Sequence, residues 1–362
     1  MIRKRLSNFR AMMKRENLDA FLLTRHASII YLSGFVGGTH ISPDAILVVT
    51  AKSAQLLTDS RYWEQAAKEL KAVKLEKVKG AAVTGLSMLK ELNLKNLRIG
   101  IESEFLSFDL FQRIRGFLPN ALFVPSTGVV ERFSAVKDKE ELKAIEKAAS
   151  IADIAFDRIL GYLRPGLKEL EVCAELEYQM KMLGAEQPAF ETIVASGWRS
   201  ALPHGVASAK KIAKGEFVTF DFGAIYDSYC CDITRTVVVG KANPRQKKIY
   251  NIVLKAQEAA IRKVKDGVKA SKVDEAARSI IAKSGYGKNF GHGTGHGIGL
   301  YIHSAPSVGP KSEDILKQGM VITVEPGIYI PKWGGVRIED DVVVTARGGR
   351  VLNASPKKLL EI

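Results

Sequence analysis

The sequence predicts an α+β protein of two domains, on three observations. The chain has 362 residues, enough for two separate cores. Helix-like and strand-like segments alternate as far as about Glu131, the pattern of a mixed α/β domain. Beyond a break near Val130–Ala135 the order changes, and pairs of amphipathic helices precede pairs of strands. The expected division is a smaller α/β domain over residues 1–132 and a larger one over 133–362.

In the first domain, Leu6, Phe9, Met12 or Met13 and Leu18 recur on one face of an N-terminal amphipathic helix. Ala20–Leu23 and Ile29–Leu32 then read as short strands, before a loop marked by Gly34, Gly37 and Gly38. Ala45–Thr50 and Gln55–Thr58 are strand-like, Arg61–Leu70 and Leu86–Leu92 helical, and Arg98–Ile101 a strand. No nucleotide-binding glycine pattern and no cluster of metal-ligand residue types falls in this part.

The second domain opens with Asp138 and Glu141 at capping-box spacing. Leu142, Ile145, Ala149, Ala152, Phe156, Ile159 and Leu163 then keep helical intervals to the stop at Arg164-Pro165-Gly166. A further helix through Leu170, Leu176 and Leu183 ends at Gly184, the residue type best suited to a left-handed C-terminal cap. Both helices read as the cover of a sheet. Phe190–Gly205 carries a strand and then His204. Tyr250–Val268 and Val273–Ala282 repeat the amphipathic helical pattern.

Composition narrows the class. The hydrophobic share of 46% and charged share of 26% are those of an ordinary soluble protein, with no apolar run of spanning length. The basic N-terminus lacks the apolar stretch of a signal peptide, so a cytoplasmic location is expected. Cys173, Cys230 and Cys231 form neither a disulfide framework nor a zinc spacing, and read as small core residues. A net charge of +15 raises the question of nucleic acid. The bases are interspersed with acids, as in KDKEELKAIEKA, so a solvated surface accounts for them and no nucleic-acid or membrane partner is expected.

The chemistry starts at Phe217–Val239. Val218, Phe220 and Phe222 alternate with Thr219, Asp221 and Gly223, a half-buried strand, and Ile233–Val237 supplies a second. A hairpin centred between Tyr226 and Asp227 sets Asp221 opposite Asp232, with Cβ atoms about 4.5–5.5 Å apart. Like charges so placed need a shared proton or a cation between them, unless both lie on a solvated face. A second hairpin, centred on Lys332, sets Glu325 opposite Glu339 and turns Asp340 the other way. Between the two, GHGTGHGIGLYIH carries His292, His296 and His303 on a run too rich in glycine for a helix interior. Two acid pairs with an imidazole suit hard or borderline divalent ions, and four carboxylates suffice for two. Two such ions can activate a bridging water, which is hydrolytic chemistry.

DFG at 221–223, DITRT at 232–236, GTGHGIG at 293–299, VEPGIY at 324–329 and GGVRIEDD at 334–341 together resemble the M24 metallopeptidases over essentially the whole chain. The length and spacing are similar to the proline-specific branch, Xaa-Pro dipeptidase (prolidase) and aminopeptidase P. The resemblance implies a creatinase-type N-terminal domain and a C-terminal pita-bread domain. It implies Asp221, Asp232, His296, Glu325 and Glu339 as ligands of two divalent ions, with Asp232 and Glu339 bridging. Mn²⁺ or Co²⁺ is expected, with Zn²⁺ as the alternative. Glu325 is expected to take the proton from water, His204 and His303 to contact substrate and oxyanion, and His292 to assist proton transfer. A homodimer is also implied, in which the loop around His40 reaches the partner's site.

The expected reaction is hydrolysis of the Xaa-Pro bond of dipeptides or short peptides. One departure bears on specificity. Where the family commonly reads H-E-x-P-R after the substrate histidine, this chain reads His303-Ser304-Ala305-Pro306-Ser307. Ser307 supplies no charge for a dipeptide's carboxylate, a task left to Arg337, Arg199 or Lys332. Aminopeptidase P activity on longer peptides is therefore the alternative. A non-catalytic binding module and creatinase-like amidine hydrolysis rank lower, because all five ligand positions are filled.

Overall fold

The computed structural model describes residues 1–38, 44–80, 86, 88–89, 92, 94 and 97–362. His40 and part of the stretch expected to be helical at Leu86–Leu92 lie outside the described residues. The chain divides into two compact units, Met1–Ser134 and Ala135–Ile362.

In the first unit, α1 (Ile2–Arg15) buries Leu6, Phe9 and Met13 and leads into β1 (Ala20–Leu23). Ile29–Leu32, expected as a strand, lies instead in α2 (His26–Ser33), capped by Gly34 at φ +77°. A four-residue apolar run has no period of its own, and here the helix is buried from Ala27 to Ser33, which hides the usual polar face. Then come β2 (Ala45–Thr50), β3 (Ala54–Thr58), α3 (Trp63–Glu69), β4 (Lys74–Lys77) and β5 (Arg98–Glu102). The unit closes with α4 (Phe108–Phe117), β6 (Leu122–Ser126) and α5 (Val129–Ser134). The strands form one mixed sheet in the order β4-β3-β2-β1-β5-β6, with Leu22, Ile46, Val48 and Ile99 in its core.

In the second unit, α6 (Lys139–Tyr162) starts at the expected Asp138–Glu141 capping box, and α7 (Glu169–Met182) follows. After β7 (Gln187–Pro188) and β8 (Ile193–Ser196), the first hairpin consists of β9 (Phe217–Phe222), β10 (Ala224–Tyr226), β11 (Tyr229–Cys230) and β12 (Ile233–Val238). The second helix pair is α8 (Pro244–Lys263) and α9 (Ala270–Lys283). The remaining strands are β13 (Gly295–Gly297), β14 (Ser304–Val308), β15 (Val321–Val324), β16 (Gly327–Ile330), β17 (Gly334–Arg337), β18 (Asp340–Val344) and β19 (Gly349–Val351).

A core lies under each helix pair. Phe156 and Leu176 from α6 and α7 pack on Val218, Phe220 and Ile233. Val253 and Val273 from α8 and α9 pack on Ile322, Val324, Ile328 and Val336. The hairpins meet where the Glu339 N–H donates to the Thr234 carbonyl (3.1 Å) and the Thr236 hydroxyl to that of Arg337 (3.0 Å). Apolar side chains thus take the helix-facing sides, which leaves the polar ones to meet elsewhere.

The register of the first hairpin differs from the expectation. Asp221 pairs with Thr234, not Asp232, because the turn residues are Asp227 and Ser228 at φ +48° and +68°. Two consecutive left-handed residues make the two-residue turn whose twist matches the strands, so the centre moves one residue along. The slip is by two positions, so Asp221 and Asp232 keep the same face. In the second hairpin Gly327 pairs with Arg337 and Val324 with Asp340. Glu325 and Glu339 fall opposite each other in the break between those ladders.

Candidate active site

A cavity of about 850 Å³ in the second unit is lined by Asp221, Asp232, His296, Glu325 and Glu339. His204, His292 and His303 line it too, so all eight metal-ligand and catalytic candidates reach one space. The glycines explain how the backbone comes so close. A Cβ at Gly295 would collide with the Thr323 carbonyl, and one at Gly297 with that of Ala305.

Donor atoms of Asp232, His296 and Glu339 lie within 4.8 Å of one another. His296 Nε2 is 3.7 Å from Asp232 Oδ2 and 3.5 Å from Glu325 Oε1. His296 Nδ1 lies 3.2 Å from the Gly297 carbonyl, which can only accept, so Nδ1 carries the proton and Nε2 keeps its lone pair. The Thr323 hydroxyl accepts from the His296 N–H and donates to Glu325 Oε1. The Glu325 N–H donates to the Thr294 carbonyl (2.8 Å), and the Thr234 hydroxyl to Glu339 Oε2 (2.5 Å). On the far side, the Asp232 N–H donates to Asp341 Oδ2 (3.0 Å).

The electrostatics follow from crowding and burial. Burial, then Glu339 and Asp221, hold the Asp232 carboxyl well above the usual range. Burial and Glu325 do the same to Glu339. Glu325 is pushed up to about 7 by burial, against the pull of Arg337. His296 is pushed down to about 4 by burial and by His303, whose ring centroid is 4.3 Å away. A neutral imidazole and several carboxyls that resist ionising side by side are what a cation would relieve. Buried Asp232 Oδ1 also has no hydrogen-bond partner. Oxygen donors with one imidazole nitrogen therefore fit a hard or borderline divalent ion.

Tyr329 is not legible from the sequence as a member of the site, and Arg337 is expected there only as a partner for a substrate carboxylate. Arg337, 3% exposed, donates to Asp221 Oδ2 and to the Tyr329 hydroxyl (2.7 Å). That hydroxyl donates to His292 Nε2 (2.9 Å), while His292 Nδ1 donates to the Gly293 carbonyl (2.7 Å). The signal was present: Tyr329 shares strand parity with Glu325, and Arg337 with Glu339. Of the three cations considered for a substrate carboxylate, Arg337 alone lines the cavity, and it is already paired. Arg199 is held by Glu169 (2.9 Å), and Lys332 sits in the turn at φ +63°. Ser307 lines the cavity.

The family model for metallopeptidase family M24 matches residues 143–346, and that for the creatinase/prolidase N-terminal domain matches residues 5–136. The chain belongs to metallopeptidase family M24, with a creatinase-type N-terminal domain and a pita-bread C-terminal domain. It is 42% identical over 353 residues to the Xaa-Pro dipeptidase of Pyrococcus horikoshii, covering 96% of each chain. Among solved structures it is similar to the Xaa-Pro dipeptidase from Bacillus anthracis, at 42% identity and TM-score 0.94, over 100% of both chains. It is also similar to the X-Pro aminopeptidase from Thermotoga maritima, at 38% identity and TM-score 0.89, over 99% of both. Family membership makes it an enzyme that uses divalent metal. Among the described residues no helix is long and apolar enough to cross a membrane.

Proposed function

We propose that this enzyme hydrolyses the bond between a residue and the proline that follows it, in dipeptides or short peptides. The observation that carries the reading is the meeting of Asp221 and His296, on β9 and β13, with Asp232, Glu325 and Glu339, just beyond strand ends, in one cavity of a chain 42% identical to an Xaa-Pro dipeptidase over 96% of its length. These five would hold two divalent ions, Mn²⁺ or Co²⁺, with Asp232 and Glu339 shared between them. Bound there, the ions would activate a water and polarise the scissile carbonyl.

The remaining work falls to the side chains. Glu325, whose carboxyl sits near neutral pH in the metal-free protein, is suited to take a proton and return it to the leaving imide nitrogen. His303 and His204 face the same space and would donate to the oxyanion. His292 is held by Tyr329 and Gly293 through both ring nitrogens, so its part is to fix Tyr329 and Arg337 beside Asp221. Phe190, Ile193, Val206 and Ile302 give the cavity an apolar wall for the proline ring and keep water from it. A homodimer belongs to the same reading, and sedimentation of the purified protein tests it.

Ser307 favours a second reading. Arg337 is the one Lys or Arg among the described residues lining the cavity, and it is spent on Asp221. A site without a spare cation for a dipeptide's carboxylate would accept a longer peptide, as an aminopeptidase P does. The test compares an Xaa-Pro dipeptide with an Xaa-Pro-Yaa tripeptide under Mn²⁺ and Co²⁺. Cleavage of the dipeptide supports the first reading, preference for the tripeptide the second, and cleavage of neither overturns both.

A further inference from the structure

We propose that Asp274 and Arg278, on α9 and outside the ligand set, are positioning residues that hold the glycine-rich loop in the one conformation that completes the metal site. The inference rests on the reading of Glu325 as a metal ligand. Four residues apart, the two side chains share one face of the helix. Arg278 Nε and Nη2 grip both oxygens of Asp274, at 2.7 and 2.8 Å. The fork has three donors left over, and two of them go to the loop. Nη1 donates to the Phe290 carbonyl (3.0 Å) and Nη2 to that of His292 (2.7 Å), with the guanidinium 4.2 Å over the Phe290 ring.

Asp274, 1% exposed, serves the other end of the same loop. Its Oδ1 accepts the Thr294 N–H (3.2 Å) and the Thr294 hydroxyl (2.8 Å). The Thr294 carbonyl in turn receives the Glu325 N–H. Two steps therefore lead from a helix carboxylate to the backbone of Glu325. One step leads from Arg278 to the backbone of His292.

A packing role does not call for this pair. A buried ion pair can often be replaced by apolar residues with little loss of stability. Glycines at 291, 293, 295 and 297 leave the loop with unusual conformational freedom, so its shape must be imposed from outside. The spare hydrogen bonds of Asp274 and Arg278 go to that backbone.

The test titrates metal-stripped protein with Mn²⁺ by calorimetry and records thermal unfolding of the metal-free form. Arg278→Lys keeps a charge beside Asp274 but cannot reach the carboxylate and two carbonyls together. Groups that orient ligands cost about 10–100-fold in metal affinity when changed. A tenfold or greater loss of Mn²⁺ affinity, with the metal-free unfolding temperature nearly unchanged, is the expected result. Thr294→Val removes only the hydroxyl bond to Asp274 at constant shape, and is expected to weaken Mn²⁺ binding at least threefold. Affinity within twofold of the parent in both variants, or no Mn²⁺ binding by the parent, overturns the proposal. If the affinity contrast appears in a parent that cleaves no Xaa-Pro peptide, the clamp stands and the proposed reaction falls.

Discussion

Replacing Arg235 by methionine should destabilise the second unit by about 3 kcal/mol, the low end of the cost of breaking a buried ion pair. Arg235 Nη2 lies 2.7 Å from Asp340 Oδ1, with the side chains 2% and 0% exposed. The same guanidinium donates to the carbonyls of Thr234, Glu339, Ser355 and Pro356. Two features limit the loss. Lys357 Nζ and Gln257 Nε2 each stay 2.8 Å from Asp340 Oδ2, so the carboxylate keeps one cation and one donor. Methionine also fills much of the vacated volume. At about 2–4 °C per kcal/mol for a unit of this size, the unfolding temperature should fall by about 6–12 °C. Calorimetry of the metal-free protein at pH 7.5 measures it. Burial pushes the Asp340 carboxyl up, but Arg235 and Lys357 outweigh it and hold it below the usual value. A depressed carboxyl stabilises above its unfolded pKa and loses that contribution as pH falls through the folded one. The gap between parent and variant should therefore narrow below about pH 4. A shift under 2 °C at pH 7.5 would refute the reasoning.

Glu325→Gln should lower kcat by about 100-fold or more while the protein still binds Mn²⁺, since an oxygen ligand remains but the base does not; near-normal turnover contradicts the role. Metal binding at pH 6.5 should release protons, because Asp232, Glu325 and Glu339 are held up by burial and must ionise, whereas His296 is already neutral. Calorimetry in buffers of different ionisation enthalpy should give a positive proton count that shrinks as pH rises, and a count of zero sinks the idea. In metal-free protein the same raised carboxyls should make stability fall as pH rises from about 6.5 to 8, a loss that added metal removes. Ser228→Gly should stabilise by up to about 1 kcal/mol, because φ +68° strains serine and not glycine, and its backbone bond to Glu186 survives. A fall in unfolding temperature there would contradict it.

The parts of the site that could be read from the sequence are those governed by parity and turns. Pro331 before Lys332 and Gly334 two residues after it mark the turn, and Glu325 finds Glu339 despite the Pro326-Gly327 bend. At the first hairpin Asp227 and Ser228 carry the turn without a glycine, and the centre lies one residue beyond the expected one. The error left Asp221 and Asp232 on one face because side chains alternate with a period of two. Ile29–Leu32 shows the opposite failure, since a fully buried short helix offers no period to read. Asp274 and Arg278 are not legible in the sequence because the helical pattern places them on a polar face, and only the fold brings that face of α9 against a loop.

Metal-dependent cleavage before proline is the property on which the five side chains converge. The purified protein should lose hydrolysis of an Xaa-Pro substrate, dipeptide or tripeptide, on exhaustive dialysis against chelator. About two equivalents of Mn²⁺ or Co²⁺ per chain should restore it. Full activity in the stripped protein, with metal absent by elemental analysis, would contradict the claim that these five side chains work through bound cations.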